Sequence, residues 1–272
     1  NRTFFPPQDR HVQTSQGRVD LPILYYDTSA FYAFFEVAAE KAATLLRGTC
    51  VKPVVFPGGK TIAGIAAYEY RATTVGVYNE VGLALVCVPE NTTYPLLSLL
   101  DLILPDSGGG LGFYIADLPV TTAAANAAGR EIWGYPKFVT QIPLSWKNDE
   151  LQLRVMHPDS PEEPIMALQG PFKETVRLPN INLTTWTNLD EKLIRTRVTT
   201  QGKSSYCLKP DITLAVGQRD HRMQRHLLAL GLDGMKPVMI SASHDFQSIL
   251  PAGEIFAAMP ARNAESTVSA SA

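Results

Sequence analysis

The sequence predicts a mainly β fold of the α+β class, with antiparallel sheets and a few flanking helices. Three observations carry this reading. Short runs of apolar and β-favouring residues recur along the chain, and prolines and glycines punctuate them. The runs do not alternate with helical segments as βαβ units would require. Leu151, Leu153 and Val155 alternate with Gln152, Arg154 and Met156, as a strand with one wetter face should.

Taken in order, residues 1–17 are polar and proline-containing and read as an N-terminal arm. Asp27, Thr28 and Ser29 offer N-caps for a helix reaching about Arg47, which Gly48 ends. Phe31, Phe34, Phe35, Ala38, Ala42, Leu45 and Leu46 have the spacing of a buried helical stripe. Strand runs follow at 65–70, 81–88, 112–116, 138–144, 151–157, 165–168, 193–200, 212–216, 238–241 and 255–258. A short alanine-rich helix is expected over 121–128. A further helix is expected over 220–230, with Met223, Leu227 and Leu230 on one face and Gly231 as its stop. Residues 107–112 (SGGGLG) read as a flexible connection, because the Lys-Ser/Thr of a phosphate loop is missing. Residues 262–272 are small and polar and read as a disordered tail. No linker interrupts the rest, so residues 18–261 are taken as one domain.

Composition excludes several classes of function. The chain has 272 residues, 45% of them hydrophobic, and a net charge of −2 without a basic cluster, which argues against a nucleic-acid partner. No apolar stretch is long enough to span a membrane. Cys50, Cys87 and Cys207 are too few for a disulfide scaffold or a zinc site, although one Cys50–Cys207 bridge stays open. His221 and His226 are five apart without an HExxH motif, so no metal is expected. No Gly-x-Ser-x-Gly elbow points to a serine hydrolase. Sequons at Asn1, Asn91 and Asn182, with a first residue other than Met, tilt localisation towards secretion or the endomembrane system; the cytoplasm stays open.

The stretch most suggestive of chemistry is residues 129–137, GREIWGYPK. It ends a run of apolar, aromatic and backbone-restricted residues on one lysine. Pro136 fixes its own φ and biases Tyr135 towards an extended conformation. A desolvated lysine loses its proton more easily than an exposed one, which makes its amine a nucleophile. The competing reading is a strand lysine that snorkels past its aromatic neighbours to water.

This stretch resembles the signature of the acetoacetate decarboxylase family, in which Gly-Arg-Glu leads to Tyr-Pro-Lys and the lysine forms a Schiff base. Residues 18–28 (RVDLPILYYDT) are similar to the family's arginine-containing N-terminal strand, and residues 77–80 (VYNE) to its Tyr-x-Glu motif. Residues 226–237 resemble its C-terminal helix and turn. The resemblance implies an antiparallel, barrel-like sheet around a central cavity, no cofactor, and a homo-oligomer, to which exposed apolar strand edges also point. It implies Lys137 as the imine-forming nucleophile and Glu80 as a general acid or base. Arg18 is the candidate for holding a substrate carboxylate. Arg130 and Glu131, as strand neighbours, would face opposite sides, one lining the cavity and the other making an ion pair. Trp133, Tyr135, Phe138 and Ile65 would supply a dry wall.

Two positions depart from the family pattern. Phe138 stands where the decarboxylases carry a second lysine, so Glu80 is expected to lose that partner. Ile65 stands where they carry an acidic residue. The expected activity is therefore a cofactor-independent Schiff-base lyase, of decarboxylase or aldolase/dehydratase type, acting on a small keto acid or polyketide-like ketone. The alternative is a non-covalent small-molecule pocket on the same fold, which binds a ligand or guides a cyclisation by shape.

Overall fold

Residues 23–38 are mostly apolar or aromatic, broken by Asp27, Thr28, Ser29 and Glu36, and they form one long strand, β3 (Ile23–Ala38). Helix α1 is confined to Ala39–Leu45. This corrects the helix expected from about residue 27. The helical spacing of Phe31, Phe34 and Phe35 is incidental, because from Ala30 to Phe35 the strand is apolar or aromatic and buried or half-buried on both faces, so no polar position there marks the period of two. The computed structural model describes residues 4–92, 110–147, 150–173 and 175–258. The expected C-terminal tail and the first half of the SGGGLG connection lie outside these residues.

The arm contributes a hairpin, β1 (Arg10–Thr14) and β2 (Gly17–Leu21). After α1 come β4 (Val51–Pro53), β5 (Lys60–Thr73), β6 (Tyr78–Pro89), β7 (Gly112–Val120) and α2 (Ala123–Trp133). The expected strand over 138–144 divides into β8 (Lys137–Val139) and β9 (Leu144–Lys147). Then follow β10 (Glu150–His157), β11 (Ser160–Pro171), β12 (Val176–Pro179), β13 (Leu183–Leu189), β14 (Lys192–Gln201), β15 (Lys203–Leu208) and β16 (Thr213–Val216). Helix α3 (Arg222–Leu230), β17 (Met239–Leu250) and β18 (Glu254–Ala258) complete the described chain.

Seven strands close into a barrel in the order β17-β3-β5-β6-β7-β13-β14, with β14 pairing back onto β17. The pairings are antiparallel except β7 with β13, and β8 also adds in parallel beside β7. Closure removes the exposed edges that an open sheet of this length would present. A second, four-stranded sheet, β16-β11-β10-β9, packs on the outside. The main hydrocarbon core lies between the two sheets. Phe31, Phe35, Ile65, Leu83 and Leu85 of the barrel meet Leu151, Leu153, Val155 and Leu168 of the second sheet there, and Met223, Leu227 and Leu230 of α3 join the same core. Burying each such side chain contributes about 1.5–3 kcal/mol.

The opposite faces of the same barrel strands point inward. In β5 these are Tyr68 and Tyr70, and they pair in register with Glu80 and Tyr78 of β6. Ala30 of β3 is the register partner of Tyr68, which puts Tyr32 and Phe34 on the inward face too. The three cysteines are free, so no Cys50–Cys207 bridge forms. No helix of the described chain is long and apolar enough to cross a membrane.

Candidate active site

Lys137 reaches the barrel interior because α2 stops abruptly. The Thr122 side chain caps the helix start by accepting from Ala125 N. Gly134 ends it in the left-handed conformation at φ 69°, where a Cβ would lie 2.2 Å from Asn188 O, so glycine is required on both counts. Tyr135 N then donates to Gly129 O at 3.0 Å, and Pro136 turns the chain into β8. Pro136 O accepts from Leu118 N and from the Arg222 guanidinium (2.9 Å). Arg222 is itself held by the fully buried Asp117, which also bonds His226 Nδ1 at 2.6 Å. α3 thus braces the strand that carries the lysine.

Inside, the Lys137 side chain is 6% exposed and runs across Gly129 of α2. A Cβ on Gly129 would lie 2.3 Å from Lys137 Cε and 2.5 Å from Cδ, so the glycine makes room for the stem. Nζ lies 2.5 Å from Glu80 Oε2 and faces the rings of Tyr78 (5.7 Å) and Tyr135 (6.0 Å). Glu80 Oε1 accepts from Tyr70 Oη at 3.2 Å, and Tyr25 and Tyr78 hydroxyls meet at 3.3 Å. Burial, reinforced by the Glu80 carboxylate, holds the Tyr25, Tyr70 and Tyr78 phenols above their usual range, and burial pushes Tyr135 up to about 12. These phenols therefore stay protonated, and Tyr70 donates to the ion pair while Tyr25, Tyr78 and Tyr135 surround it.

Two cavities occupy the interior. One of ≈ 10 Å³ lies against Lys137, Tyr25, Tyr78, Trp133 and Tyr135, room for roughly one water. The other, ≈ 60 Å³, is lined by Tyr32, Phe34, Tyr68, Ala84, Phe113 and Ile115. They share a wall, since Tyr135 Oη bonds Thr185 Oγ1 (2.7 Å), which lines the larger cavity. The larger cavity's Tyr68 is also the register partner of Glu80.

The expected site residues separate into two groups. Lys137, Glu80, Trp133 and Tyr135 come together; Trp133 is fixed by donating from Nε1 to Pro251 O at 2.9 Å. Glu80 does not lack a partner, as Phe138 had suggested, because Lys137 itself is that partner. Phe138 points to the other face of β8 and packs on the outer core, with its ring 4.6 Å from His221. It therefore does not dry the lysine. Ile65 belongs to that same outer core and also borders the larger cavity. Arg130 and Glu131 sit on a helix rather than a strand, and both are exposed. Arg130 donates to Lys137 O at 3.0 Å, and Glu131 accepts from Ser15 N (2.9 Å) and Oγ (2.5 Å), tying the β1–β2 hairpin to α2. Arg18 is exposed and paired with Asp20 at 2.7 Å, so its guanidinium does not reach the cavity. Sequence reasoning missed Gly129 and the interior tyrosines 25, 32, 68, 70 and 78 as site residues. The spacing Tyr68-x-Tyr70 and Tyr78-x-Glu80 was the available signal.

A family model described as acetoacetate decarboxylase matches residues 6–164. No curated protein sequence matches significantly. Among solved structures, an acetoacetate decarboxylase from Legionella pneumophila is 17% identical with a TM-score of 0.61, covering 94% of this chain and 93% of its own. The enduracididine biosynthesis enzyme MppR, solved with pyruvate, is 12% identical (TM-score 0.60; 88% and 91% covered). An acetoacetate decarboxylase-like enzyme from Sphingomonas wittichii RW1 is 11% identical (TM-score 0.56; 88% and 95%). At such identities the likeness is one of fold, whereas the family match spans more than half of the sequence. The chain belongs to the acetoacetate decarboxylase family.

Proposed function

We propose that this protein is a cofactor-independent lyase that forms a Schiff base through Lys137. The observation that carries the reading is the buried contact between Lys137 Nζ and Glu80 Oε2 at 2.5 Å inside a closed barrel. An ammonium cannot attack a carbonyl, and Glu80 is placed to take its proton. The free amine then adds to the substrate carbonyl carbon. The resulting carbinolamine loses water, its oxygen leaving with the proton that Glu80 returns. The iminium so formed accepts the electron pair released when a bond at the neighbouring carbon breaks, the resulting enamine takes a proton at that carbon, and hydrolysis of the iminium restores the lysine. Carboxylate loss, aldol cleavage and dehydration all use that electron sink.

Closure of the barrel serves the chemistry by keeping bulk water from the amine and the imine. The ≈ 10 Å³ at Lys137 requires side chains to move before substrate enters. That tightness, with the lysine already ion-paired, also favours the second reading, a non-covalent pocket. Borohydride reduction with a panel of carbonyl compounds separates the two. Intact mass should rise by one reduced adduct located at Lys137, and Lys137→Met should abolish both adduct and turnover. A fully active Lys137→Met protein would sink the covalent reading.

A further inference from the structure

We infer that the substrate is an uncharged carbonyl compound whose apolar arm carries a second oxygen that the Tyr32 hydroxyl receives. This rests on the imine reading of Lys137 and deepens it. Among the described residues, Lys137 is the one lysine or arginine that is buried. It faces Glu80 and becomes part of the imine, so it is not left to neutralise a carboxylate. The arginines nearest in sequence to the site are exposed or half-buried and engaged elsewhere. Arg18 pairs with Asp20, Arg71 with Asp27 and Glu69, and Arg130 donates to a backbone carbonyl. A substrate carboxylate in this barrel would be desolvated without a cation and would lie beside the Glu80 charge. Both effects oppose its binding.

What the interior offers instead is aromatic surface leading away from the lysine. Tyr70, bonded to Glu80, stacks on Tyr68 with centroids 5.3 Å apart and planes 6° apart. Tyr68 meets the Tyr32 ring edge-on at 5.7 Å, and Tyr32 stacks with Phe34. This path ends in the ≈ 60 Å³ cavity, which holds the volume of roughly four or five waters or of one small apolar group. Its lining is hydrocarbon apart from phenols and Thr185. Tyr32 Oη is shut off from solvent and makes no hydrogen bond of ordinary geometry, although Tyr68 is its phenolic neighbour. A buried hydroxyl held only by so weak a contact with the Tyr68 phenol is costly, and a hydroxyl or carbonyl oxygen on the ligand would satisfy it better. A neutral substrate has no carbon dioxide to lose. Its imine would instead serve aldol cleavage, aldol addition or dehydration next to the carbonyl carbon.

The test uses four probes with the full-length chain: 4-phenyl-2-butanone, 4-(4-hydroxyphenyl)-2-butanone, pyruvate and acetoacetate. Borohydride-trapped mass on Lys137 is measured against probe concentration. The two neutral ketones should half-saturate labelling at concentrations at least tenfold below the two keto acids. The hydroxylated ketone should be favoured over its parent by roughly tenfold, the size of one buried hydrogen bond. Tyr32→Phe should narrow that gap to under about twofold, with folding checked by urea denaturation. Keto acids that label as well as the neutral ketones would overturn the inference and leave the imine reading standing. An undiminished gap in Tyr32→Phe would remove the Tyr32 subsite. Absence of label with every probe would sink the imine reading and this inference together.

Discussion

The two sides of the barrel wall are built from the same strands and have opposite chemistry. Outward from β3, β5 and β6 stand Phe31, Phe35, Ile65, Leu83 and Leu85, hydrocarbon packed on hydrocarbon. Inward from the same strands stand Tyr32, Tyr68, Tyr70, Tyr78 and Glu80, which meets Lys137 of β8. The outer layer needs only close packing, and its energy follows buried area. The inner layer buries polar groups, and each must find a partner or destabilise the fold. On the imine reading, stability thus resides mainly outside the wall and reactivity inside it.

The strongest way to break that comparison is to remove the lysine. Lys137→Met should lose the borohydride adduct altogether. It should also lose about 3–5 kcal/mol of stability, because it strands a buried carboxylate. Adding Glu80→Gln should return most of the stability and none of the chemistry. Urea unfolding of the parent, single and double variants reads this directly. A single variant as stable as the parent would mean that the buried pair is not what constrains the interior.

Leu153→Ala asks the converse question outside the wall. It should cost about 2–5 kcal/mol while leaving adduct yield per folded molecule unchanged. Loss of labelling in a folded Leu153→Ala protein would show that the outer packing also sets the site geometry.

Gly129→Ala is the sharper probe, because it separates position from stability. The new methyl would collide with the Lys137 stem, where 2.3 Å separates the Cβ position from Cε. A displaced amine should form imine about 10–100-fold more slowly, in line with the cost of ångström-scale misplacement. Helix propensity favours alanine by up to about 1 kcal/mol, so the fold should survive. Single-turnover trapping rates beside unfolding curves decide it.

The phenols give a pH signature. Tyr135 is held up to about 12 by burial, against about 10 in an unfolded chain. Its contribution to stability is complete below pH 10 and declines as pH rises from there to about 12, since the unfolded chain releases its proton first. Tyr25, Tyr70 and Tyr78 are shifted in the same direction. Unfolding free energy should therefore fall between pH 10 and 12, less steeply in Tyr135→Phe. An unchanged slope in that variant would count against a buried, unionised Tyr135.

Much of the outer layer was legible in the sequence, and much of the inner layer was not. Leu151, Leu153 and Val155 announced their strand because its other face is wet. Met223, Leu227 and Leu230 announced α3 for the same reason, with Gly231 as its stop. Strand β3 was read as a helix because two apolar faces erase the period that separates strand from helix. At the site, Lys137, Trp133 and Tyr135 could be read from one contiguous motif, and Glu80 from a short one. Tyr25 and Tyr32 could not, and Tyr68 and Tyr70 offered only their alternate spacing, since a tyrosine's role depends on which neighbours close the barrel around it. Phe138 was assigned to the wrong face, because its place in a family pattern does not report side-chain direction, whereas Ile65 lies in the outer core and also borders the larger cavity.

Phe138 gives the smallest expected effect and tests whether the wall isolates its two sides. It follows Lys137 directly, and in a strand such neighbours point to opposite faces. Its ring packs beside His221 in the outer core. Phe138→Leu should therefore cost less than about 1.5 kcal/mol and leave imine formation unchanged. Phe138→Lys would set an ammonium beside His221, whose imidazole burial and His157 already hold below the usual range. A group depressed in the folded state contributes stability above its unfolded pKa and loses it as pH falls, so His221 weakens the fold below about pH 6.5. A nearby lysine would deepen that acid-side loss, visible in unfolding curves between pH 7 and 5. The pH profile of imine formation at Lys137 should coincide in the parent and the variant, because the new charge lies across the strand from the amine. A profile that moved with Phe138→Lys would show charge on the outer face reaching the inner one, and the division of labour across the wall would fail at the strand that carries the lysine.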